Sequence, residues 1–199
     1  MTFITVEGIE GCGKSTLVAG LAKRLRASGR ETIVTREPGG TPAGDAIRSV
    51  FLAPGLRIAP LTEALLINAA RAQHVLERID PALRRGALVL CDRFVDSTLA
   101  YQGYGRGIEL GFLQEMCDAA AGGLVPDRTF VLDLPVAISR ERVAARDGDA
   151  GDRMEREDPA FYERVRTGFL RLAEHEPRYH VLDATKSPEE LIAQAFDAL

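Results

Sequence analysis

The chain has 199 residues, of which 46% are apolar and 27% are charged, a balance that favours one folded α/β domain and argues against intrinsic disorder. Lys and Arg number 25 against 29 Asp and Glu, which gives a formal net charge of −4. A nucleic-acid polymer is therefore not an expected partner, because binding its backbone requires a basic face, whereas one local basic pocket could still bind a small anion.

The cysteines and the N-terminal residues bear on the cellular compartment. Cys12, Cys91 and Cys117 are scattered and lack metal-ligand spacing, which favours a reducing environment. The first residues have neither the basic segment nor the long apolar run of a secretory signal. No stretch approaches the ~20 apolar residues of a membrane span. We expect a cytoplasmic protein with no membrane partner.

Short β-type runs alternate with helical patterns along the chain, which is typical of a parallel sheet covered by helices on both faces. The predicted strands are residues 2–6, 32–36, 87–91, 128–133 and 179–183. Helices are predicted near residues 14–28, 42–53, 60–84, 109–122, 135–145, 158–175 and 188–198. The last helix has the clearest start, with Ser187 as N-cap, Pro188 at the first helical position and Glu190 completing a capping box.

Two stretches are predicted to be irregular. Residues 102–107 are rich in glycine, which disfavours a helix and predicts a loop. Residues 146–153 are polar and charged and lie between two predicted helices. This second stretch is either a solvated turn or a lid that closes over a bound ligand.

The segment from Gly8 to Ser15 fits the Walker A pattern, G-x₄-G-K-S, between a predicted strand and a predicted helix. Its glycines allow backbone N–H groups to approach phosphate oxygens, and the following helix directs its positive end at the same charge. Lys14 can then reach the β- and γ-phosphates, and the Ser15 hydroxyl can bind Mg²⁺. We predict that ATP contacts this loop through Gly8, Ile9, Glu10, Gly11, Cys12, Gly13, Lys14, Ser15 and Thr16.

A phosphate loop alone does not separate kinases from GTPases or motor ATPases. The guanine-reading Asn-Lys-x-Asp motif of Ras-type GTPases does not occur in the chain. The third predicted strand is followed by Asp92 and Arg93, whereas a motor ATPase would normally show Asp-Glu there. Asp92 is placed to help hold Mg²⁺ through water, and Arg93 indicates a second anion close to the first.

Several further motifs are more specific than the phosphate loop. They are Thr35-Arg36-Glu37-Pro38-Gly39-Gly40-Thr41, Leu65-Leu66-Ile67-Asn68-Ala69-Ala70-Arg71, Asp92-Arg93-Phe94-Val95-Asp96-Ser97, Ala100-Tyr101-Gln102-Gly103 and Asp152-Arg153. Through them the chain resembles the bacterial thymidylate kinases over essentially its whole length. The resemblance implies phosphorylation of dTMP to dTDP with ATP and Mg²⁺, a homodimer, and a single three-layer nucleoside monophosphate kinase domain. It also implies a five-stranded parallel sheet in the order 2-3-1-4-5.

The resemblance further implies roles in the dTMP site. Glu10 would contact the sugar 3′-hydroxyl, Arg93 would hold the phosphate, and Tyr101 would close off the sugar 2′ position and so favour deoxyribose. Further contacts are expected at the phosphate from Arg36 and Arg48, and near the thymine ring from Arg71, Ser97, Thr98 and Gln102. One position departs from the family, because Ile67 stands where a phenylalanine usually stacks on thymine. Ile67 keeps an apolar wall but not the aromatic contact.

The acceptor is a phosphate monoester with a second pKa of about 6, so its oxygen is already largely anionic at neutral pH and no general base is required. We therefore expect none of the three histidines, His74, His175 and His180, to be catalytic. Catalysis should depend on positioning and positive charge, from Lys14 and Arg93 and from an arginine of the lid.

The resemblance also indicates where the lid arginine lies. Human-type members of the family carry an arginine within the phosphate loop, where this chain has Gly11. Bacterial members of the other type use lid arginines, which favours a lid at residues 146–153. Arg153 is the first candidate for stabilising the transferring phosphoryl group, and Arg146 is the second.

Two alternative functions remain open from the sequence. One is a related kinase that acts on another monophosphate or on a deoxynucleoside. The other is a nucleotide-binding switch without metabolic turnover, which the missing guanine motif disfavours. A redox role for Cys12 inside the phosphate loop is a weaker hypothesis than a small side chain that fills a packing slot.

Overall fold

The structure, a computed structural model, describes residues 2–147, 152–174 and 176–199. Its strands are β1 (Thr2–Glu7), β2 (Thr32–Arg36), β3 (Leu88–Asp92), β4 (Arg128–Asp133) and β5 (Tyr179–Asp183). All of them pair in parallel, in the order β2-β3-β1-β4-β5. The predicted strands are confirmed to within one residue at either end, and so is the sheet order.

The described helices are α1 (Lys14–Ala27), α2 (Pro42–Leu52), α3 (Pro60–His74), α4 (Asp80–Arg84), α5 (Val95–Thr98), α6 (Leu110–Ala121), α7 (Val136–Asp147), α8 (Pro159–Ala173) and α9 (Pro188–Asp197). A π-helical segment, Val75–Ile79, joins α3 to α4, so the predicted helix near 60–84 is continuous. The predicted capping box at Ser187 and Glu190 is confirmed.

The predicted loop at residues 102–107 is wrong over its first part. A second π-helical segment, Leu99–Gly105, extends α5 through it, and α5 itself was not predicted. Gly105 allows close packing here, since a Cβ at this position would meet the buried ring of Phe161 at 2.7 Å. Tertiary contacts therefore override the low helix propensity of glycine in this segment.

Alternating side chains of the central strands pack on opposite faces of the sheet. Ile4 and Leu90 belong to the larger core cluster, together with Leu21 of α1. Phe3 and Val89 belong to the other cluster, on the opposite face. The strands are thus buried on both sides, as parallel strands generally are, and their carboxyl ends meet at one edge where loops can build a site.

The predicted lid at residues 146–153 lies only partly within the described residues. Arg146 belongs to α7, and Asp152 and Arg153 lie in the turn that precedes α8. Residues 148–151 lie outside the described part of the chain, as does His175. Across the residues that the structure describes, none of the helices is both long enough and apolar enough to cross a membrane.

Candidate active site

A cavity of about 630 Å³ opens at the carboxyl ends of β1, β2 and β3. Every predicted dTMP contact contributes to its wall, and so do both predicted Mg²⁺ ligands. From the phosphate loop, the wall includes Glu10, Gly11, Gly13, Lys14, Ser15 and Thr16. Of the four predicted catalytic side chains, Lys14, Arg93 and Arg146 line the cavity, whereas Arg153 does not.

The phosphate loop has the backbone that its glycines allow. Gly8, Gly11 and Gly13 have φ values of 137°, 68° and 97°, which disfavour residues with a Cβ. The Lys14 ammonium donates to the carbonyls of Gly8 and Ile9 at 3.0 and 2.8 Å. The N-terminus of α1 has no side-chain cap, so its first N–H groups can bind an anion.

Two side chains with oxygen atoms that could bind a metal ion lie in contact beside this loop. The Ser15 hydroxyl, in the first turn of α1, donates to the carboxylate of Asp92, at the end of β3, at 3.1 Å. Hydroxyl and carboxylate oxygens suit Mg²⁺, which commonly takes its other ligands from water and substrate phosphates. The residues that the structure describes contain no group of three or more His, Cys, Asp or Glu side chains that could hold a metal ion by themselves. The donor set fits the predicted metal.

Arg93 links the phosphate loop to the rest of the cavity. Its guanidinium donates to the Glu10 carboxylate at 2.9 Å and to the Ser97 hydroxyl at 3.0 Å. The Tyr101 hydroxyl donates to the second oxygen of Glu10 at 2.6 Å. Burial alone would raise the pKa of Glu10, but the charges of Arg93 and Lys14 hold it below its ordinary value. Glu10 therefore stays an anion in the wall of the cavity.

A positive subsite forms where Arg36 and Arg48 approach Arg93. The Arg48 guanidinium donates to the Pro38 carbonyl at 3.0 Å. Burial lowers the pKa of Arg48, and the like charges of Arg36 and Arg93 lower it further. Arg36 contacts Asp45 at 3.8 Å, a long ion pair between two exposed side chains. Three converging guanidinium groups form a subsite that a phosphate group would stabilise.

Arg71 lies in the inner wall of the cavity and is 1% exposed. Its Nε donates to Glu37 at 2.9 Å, and its two terminal nitrogens donate to Asn68, Cys117, the Phe94 carbonyl and Thr98. Ile67, one helical turn earlier on α3, is 8% exposed and supplies the apolar wall expected of it. The predicted thymine contacts are thus brought together.

The role of Glu37, whose carboxylate binds the guanidinium of Arg71, was not predicted from the sequence. Glu37 also contacts the fully buried ring of His74 at 3.1 Å, and the other ring nitrogen of His74 lies 2.6 Å from the Thr35 hydroxyl. His74 does not line the cavity and therefore fits the expected packing role. The signal was available, since Glu37 lies inside the motif that contains Arg36.

The role of Glu63, which is 0% exposed on α3, was not predicted from the sequence either. Its carboxylate accepts from Gln102, Arg106 and Arg153. A signal existed here too, because Glu63, Ile67 and Arg71 follow a spacing of four residues and share one face of the helix.

The arginines around the lid occupy different environments. Arg142 and Arg146 of α7 line the cavity, where Arg142 donates to the Gly11 carbonyl at 3.4 Å and Arg146 to Glu155 at 2.5 Å. Arg153 instead donates to Glu63 at 2.5 Å and to the Phe51 carbonyl at 2.9 Å. Arg146 thus lines the cavity, whereas Arg153 does not and is bound instead to Glu63 and Phe51.

Cys12 lies behind the phosphate loop and is 1% exposed. Burial raises the pKa of its thiol, which outweighs the nearby charge of Lys14. A thiol with a raised pKa is mostly protonated and unreactive. The environment of Cys12 therefore supports a packing role.

Glu7, at the end of β1, is a buried carboxyl that sequence analysis did not single out. It accepts from the Phe94 backbone N–H at 2.7 Å and from the Ser97 hydroxyl at 2.5 Å. Burial, together with the charge of Asp96, raises its pKa to about 7. Glu7 thereby supports the segment that carries Arg93 and Ser97.

The chain is similar to known proteins over nearly its whole length. The family model for thymidylate kinase matches residues 6–195. The thymidylate kinase of Deinococcus radiodurans is 52% identical over 198 residues, which cover 99% of this chain and 95% of the relative. That of Pseudomonas fluorescens is 53% identical over 199 residues, covering 99% and 93%. The crystal structure of thymidylate kinase from Ehrlichia chaffeensis matches with a TM-score of 0.81 and 33% identity, over 99% of this chain and 97% of that one.

We predict that Glu7 makes the stability of the protein depend on pH. Because its folded pKa is raised from 4.5 to about 7, its contribution is fully present below pH 4.5 and is lost as the pH rises through about 7. The unfolding free energy of the wild type should therefore fall relative to Glu7→Gln between pH 5 and 8, by up to about 3 kcal/mol. Urea unfolding of both proteins across this range measures the difference.

The exposed Glu115→Gln variant is the matched control for the substitution itself. A difference between wild type and Glu7→Gln that stays constant with pH would contradict the prediction.

Proposed function

This chain belongs to the thymidylate kinase family, and we propose that its cavity is the shared site of ATP and dTMP. The chain is a nucleoside monophosphate kinase that transfers a phosphoryl group from ATP to dTMP and forms dTDP. The observation that carries the residue assignment is the contact of Arg93 with Glu10, which joins the phosphate loop to the acceptor side of the cavity.

We assign the donor side to residues 8–16. Their backbone N–H groups bind the ATP phosphates, and Lys14 contributes its charge there. Ser15 and Asp92 would hold Mg²⁺, the latter through water, as their 3.1 Å contact supports. When bound, Mg²⁺ neutralises charge on the phosphate oxygens. The protein itself contributes the position of these two side chains.

We assign the acceptor side to the opposite part of the cavity. Arg93 binds the dTMP phosphate together with Arg36 and Arg48, while Glu10 accepts a hydrogen bond from the sugar 3′-hydroxyl. Tyr101, held by Glu10, lies against the sugar 2′ position and so selects deoxyribose. The thymine ring is bound by Ile67, Arg71, Ser97, Thr98 and Gln102, all of which line the cavity.

The reaction requires two polyanions to meet, so positioning and positive charge are the protein's main contributions. The acceptor oxygen is already anionic at neutral pH, and the described histidines, His74 and His180, do not line the cavity. We propose that Arg146 supplies the lid charge expected at first from Arg153, because Arg146 lines the cavity. Arg153 then anchors the start of the lid turn to α3 through Glu63.

We also propose a cytoplasmic homodimer. All three cysteines are unpaired and buried, which suits a reducing compartment. Leu61 and Leu65 of α3 are about half exposed, as is Phe112 of α6, a helix that packs against α3. Leu76, in the π-helical segment that continues α3, is 68% exposed. Such a face is suited to pairing with a second copy about a two-fold axis.

A coupled assay of ADP release tests the proposed reaction against its alternatives. We expect turnover with dTMP, less with dCMP and GMP, and none with thymidine, because the acceptor must be an anionic phosphate. dUMP belongs in the same panel, since it shares the edge of the thymine ring. ADP release that does not depend on an acceptor, or that is fastest with thymidine, would overturn the proposal.

Arg146 and Arg153 can be separated by kinetics. We expect Arg146→Met to lower kcat by about 10²- to 10³-fold with little change in KM for dTMP, because its charge acts on the transferring group. We expect Arg153→Met to lower kcat by less than about fivefold, since Arg153 does not line the cavity and binds Glu63 instead. Steady-state kinetics with dTMP and ATP measure both. The reverse order of effects would return the role to Arg153.

The dimer face can be tested by charge insertion. Leu65→Glu should shift the protein to a monomer, because an unpaired carboxylate would have to be buried in the interface. Leu199→Glu, at another exposed leucine near the C-terminus of α9, serves as the matched control and should not change the assembly. Sedimentation velocity measures the change. A Leu65→Glu protein that sediments like the wild type would rule out this face.

A further inference from the structure

Glu63 joins three parts of the chain behind the inner end of the cavity. From its buried position on α3, it accepts two hydrogen bonds from Arg106 at 3.1 and 3.0 Å and one from Arg153 at 2.5 Å. A further bond comes from the side-chain amide of Gln102, in the segment Leu99–Gly105, at 3.1 Å. Both oxygens of the carboxylate are therefore engaged.

The bond to Glu63 determines which way the Gln102 amide is turned. A carboxylate oxygen can only accept, so the NH₂ group of the amide must face it. The carbonyl oxygen of Gln102 is then left buried, and no partner for it occurs among the described residues. A buried acceptor without a partner is unfavourable, and a donor on a ligand would relieve it. Gln102 forms part of the cavity wall, beside Arg71 and Thr98.

The orientation of the Gln102 amide determines which pyrimidine bases can form a hydrogen bond with it. Thymine and uracil carry an N–H donor at N3, whereas N3 of cytosine is an acceptor. A carbonyl oxygen of the Gln102 amide can accept a hydrogen bond from N3–H of thymine or uracil. It repels N3 of cytosine, because both atoms are acceptors. The neighbouring Arg71 can only donate, so it suits a ring carbonyl and opposes the amino group of cytosine. The opposite amide orientation would favour cytosine at N3.

We propose that Glu63 is a positioning residue for base selection: it fixes the amide of Gln102 so that thymine and uracil monophosphates are accepted and cytosine monophosphates are rejected. The inference rests on the proposed function, since it places the acceptor base beside Gln102. Glu63 does not touch the base. It acts through one hydrogen bond, while its bonds to Arg106 and Arg153 keep the carboxylate in place.

The test is the substrate selectivity of Glu63→Gln. The new amide can accept from Gln102 or donate to it, so the orientation of Gln102 is no longer dictated. We expect the ratio of kcat/KM for dTMP over dCMP to fall at least tenfold. The ratio for dTMP over dUMP should stay within twofold, because both bases keep the N3 donor. Calorimetric titration with dTMP and dCMP should show the same convergence in Kd without any turnover.

Arg153→Met is the matched control. It removes another partner of the same carboxylate, but Arg106 still binds both carboxylate oxygens and the bond between Glu63 and Gln102 remains, so the dTMP:dCMP ratio should not change. An unchanged ratio in Glu63→Gln, or an equal loss with dTMP, dUMP and dCMP, would show a purely structural role and overturn the inference.

Glu63→Asp keeps the negative charge but shortens the side chain by one methylene. The carboxylate is thereby drawn away from the amide of Gln102. This variant should lower the dTMP:dCMP ratio as well, and it provides the test if Glu63→Gln does not fold. The outcome is separable from that of the proposed function. A wild type that fails to phosphorylate dTMP contradicts the function, whereas a selective wild type with equally selective Glu63 variants contradicts only the role of Glu63.

Discussion

The ion pair between Arg93 and Glu10 is the contact on which the rest of the site depends. Glu10 comes from the phosphate loop after β1, and Arg93 follows β3, so the pair connects two neighbouring strand ends. Arg93 has a φ of 73°, which is uncommon for a residue with a side chain. Its backbone N–H donates to the Val6 carbonyl, which helps to hold this conformation. Strained backbone of this kind is often found at functional sites.

Three buried carboxyl groups each accept a hydrogen bond from a group in the cavity wall. Glu7 accepts from Ser97, Glu37 from Arg71, and Glu63 from Gln102. Of these contacts, Glu37–Arg71 is a buried ion pair, and removing one partner of such a pair typically costs about 3–5 kcal/mol, because the other charge is left uncompensated. These contacts make the wall rigid, and rigidity is what allows hydrogen-bonding groups to discriminate between ligands.

Helix α7 packs closely against the phosphate loop at Gly11. A Cβ at Gly11 would lie 2.8 Å from the Ser139 carbonyl and 3.2 Å from Val143, both on α7. A side chain at position 11 therefore has no room, and α7 itself brings Arg142 and Arg146 to the cavity. This geometry supports the proposal that the neighbouring helix supplies the charge that human-type members of the family are expected to carry in the loop.

The sequence by itself determined the strands, the phosphate loop and the capping box at Ser187, because each depends on residues close together in the chain. Only the tertiary structure decided the helical course of Leu99–Gly105 and the burial of Glu63, since both depend on packing between distant elements. It also directed Arg153 to Glu63 and left Arg146 at the cavity. A motif specifies which side chains are available, whereas the partner that a long side chain reaches is set by the elements packed around it.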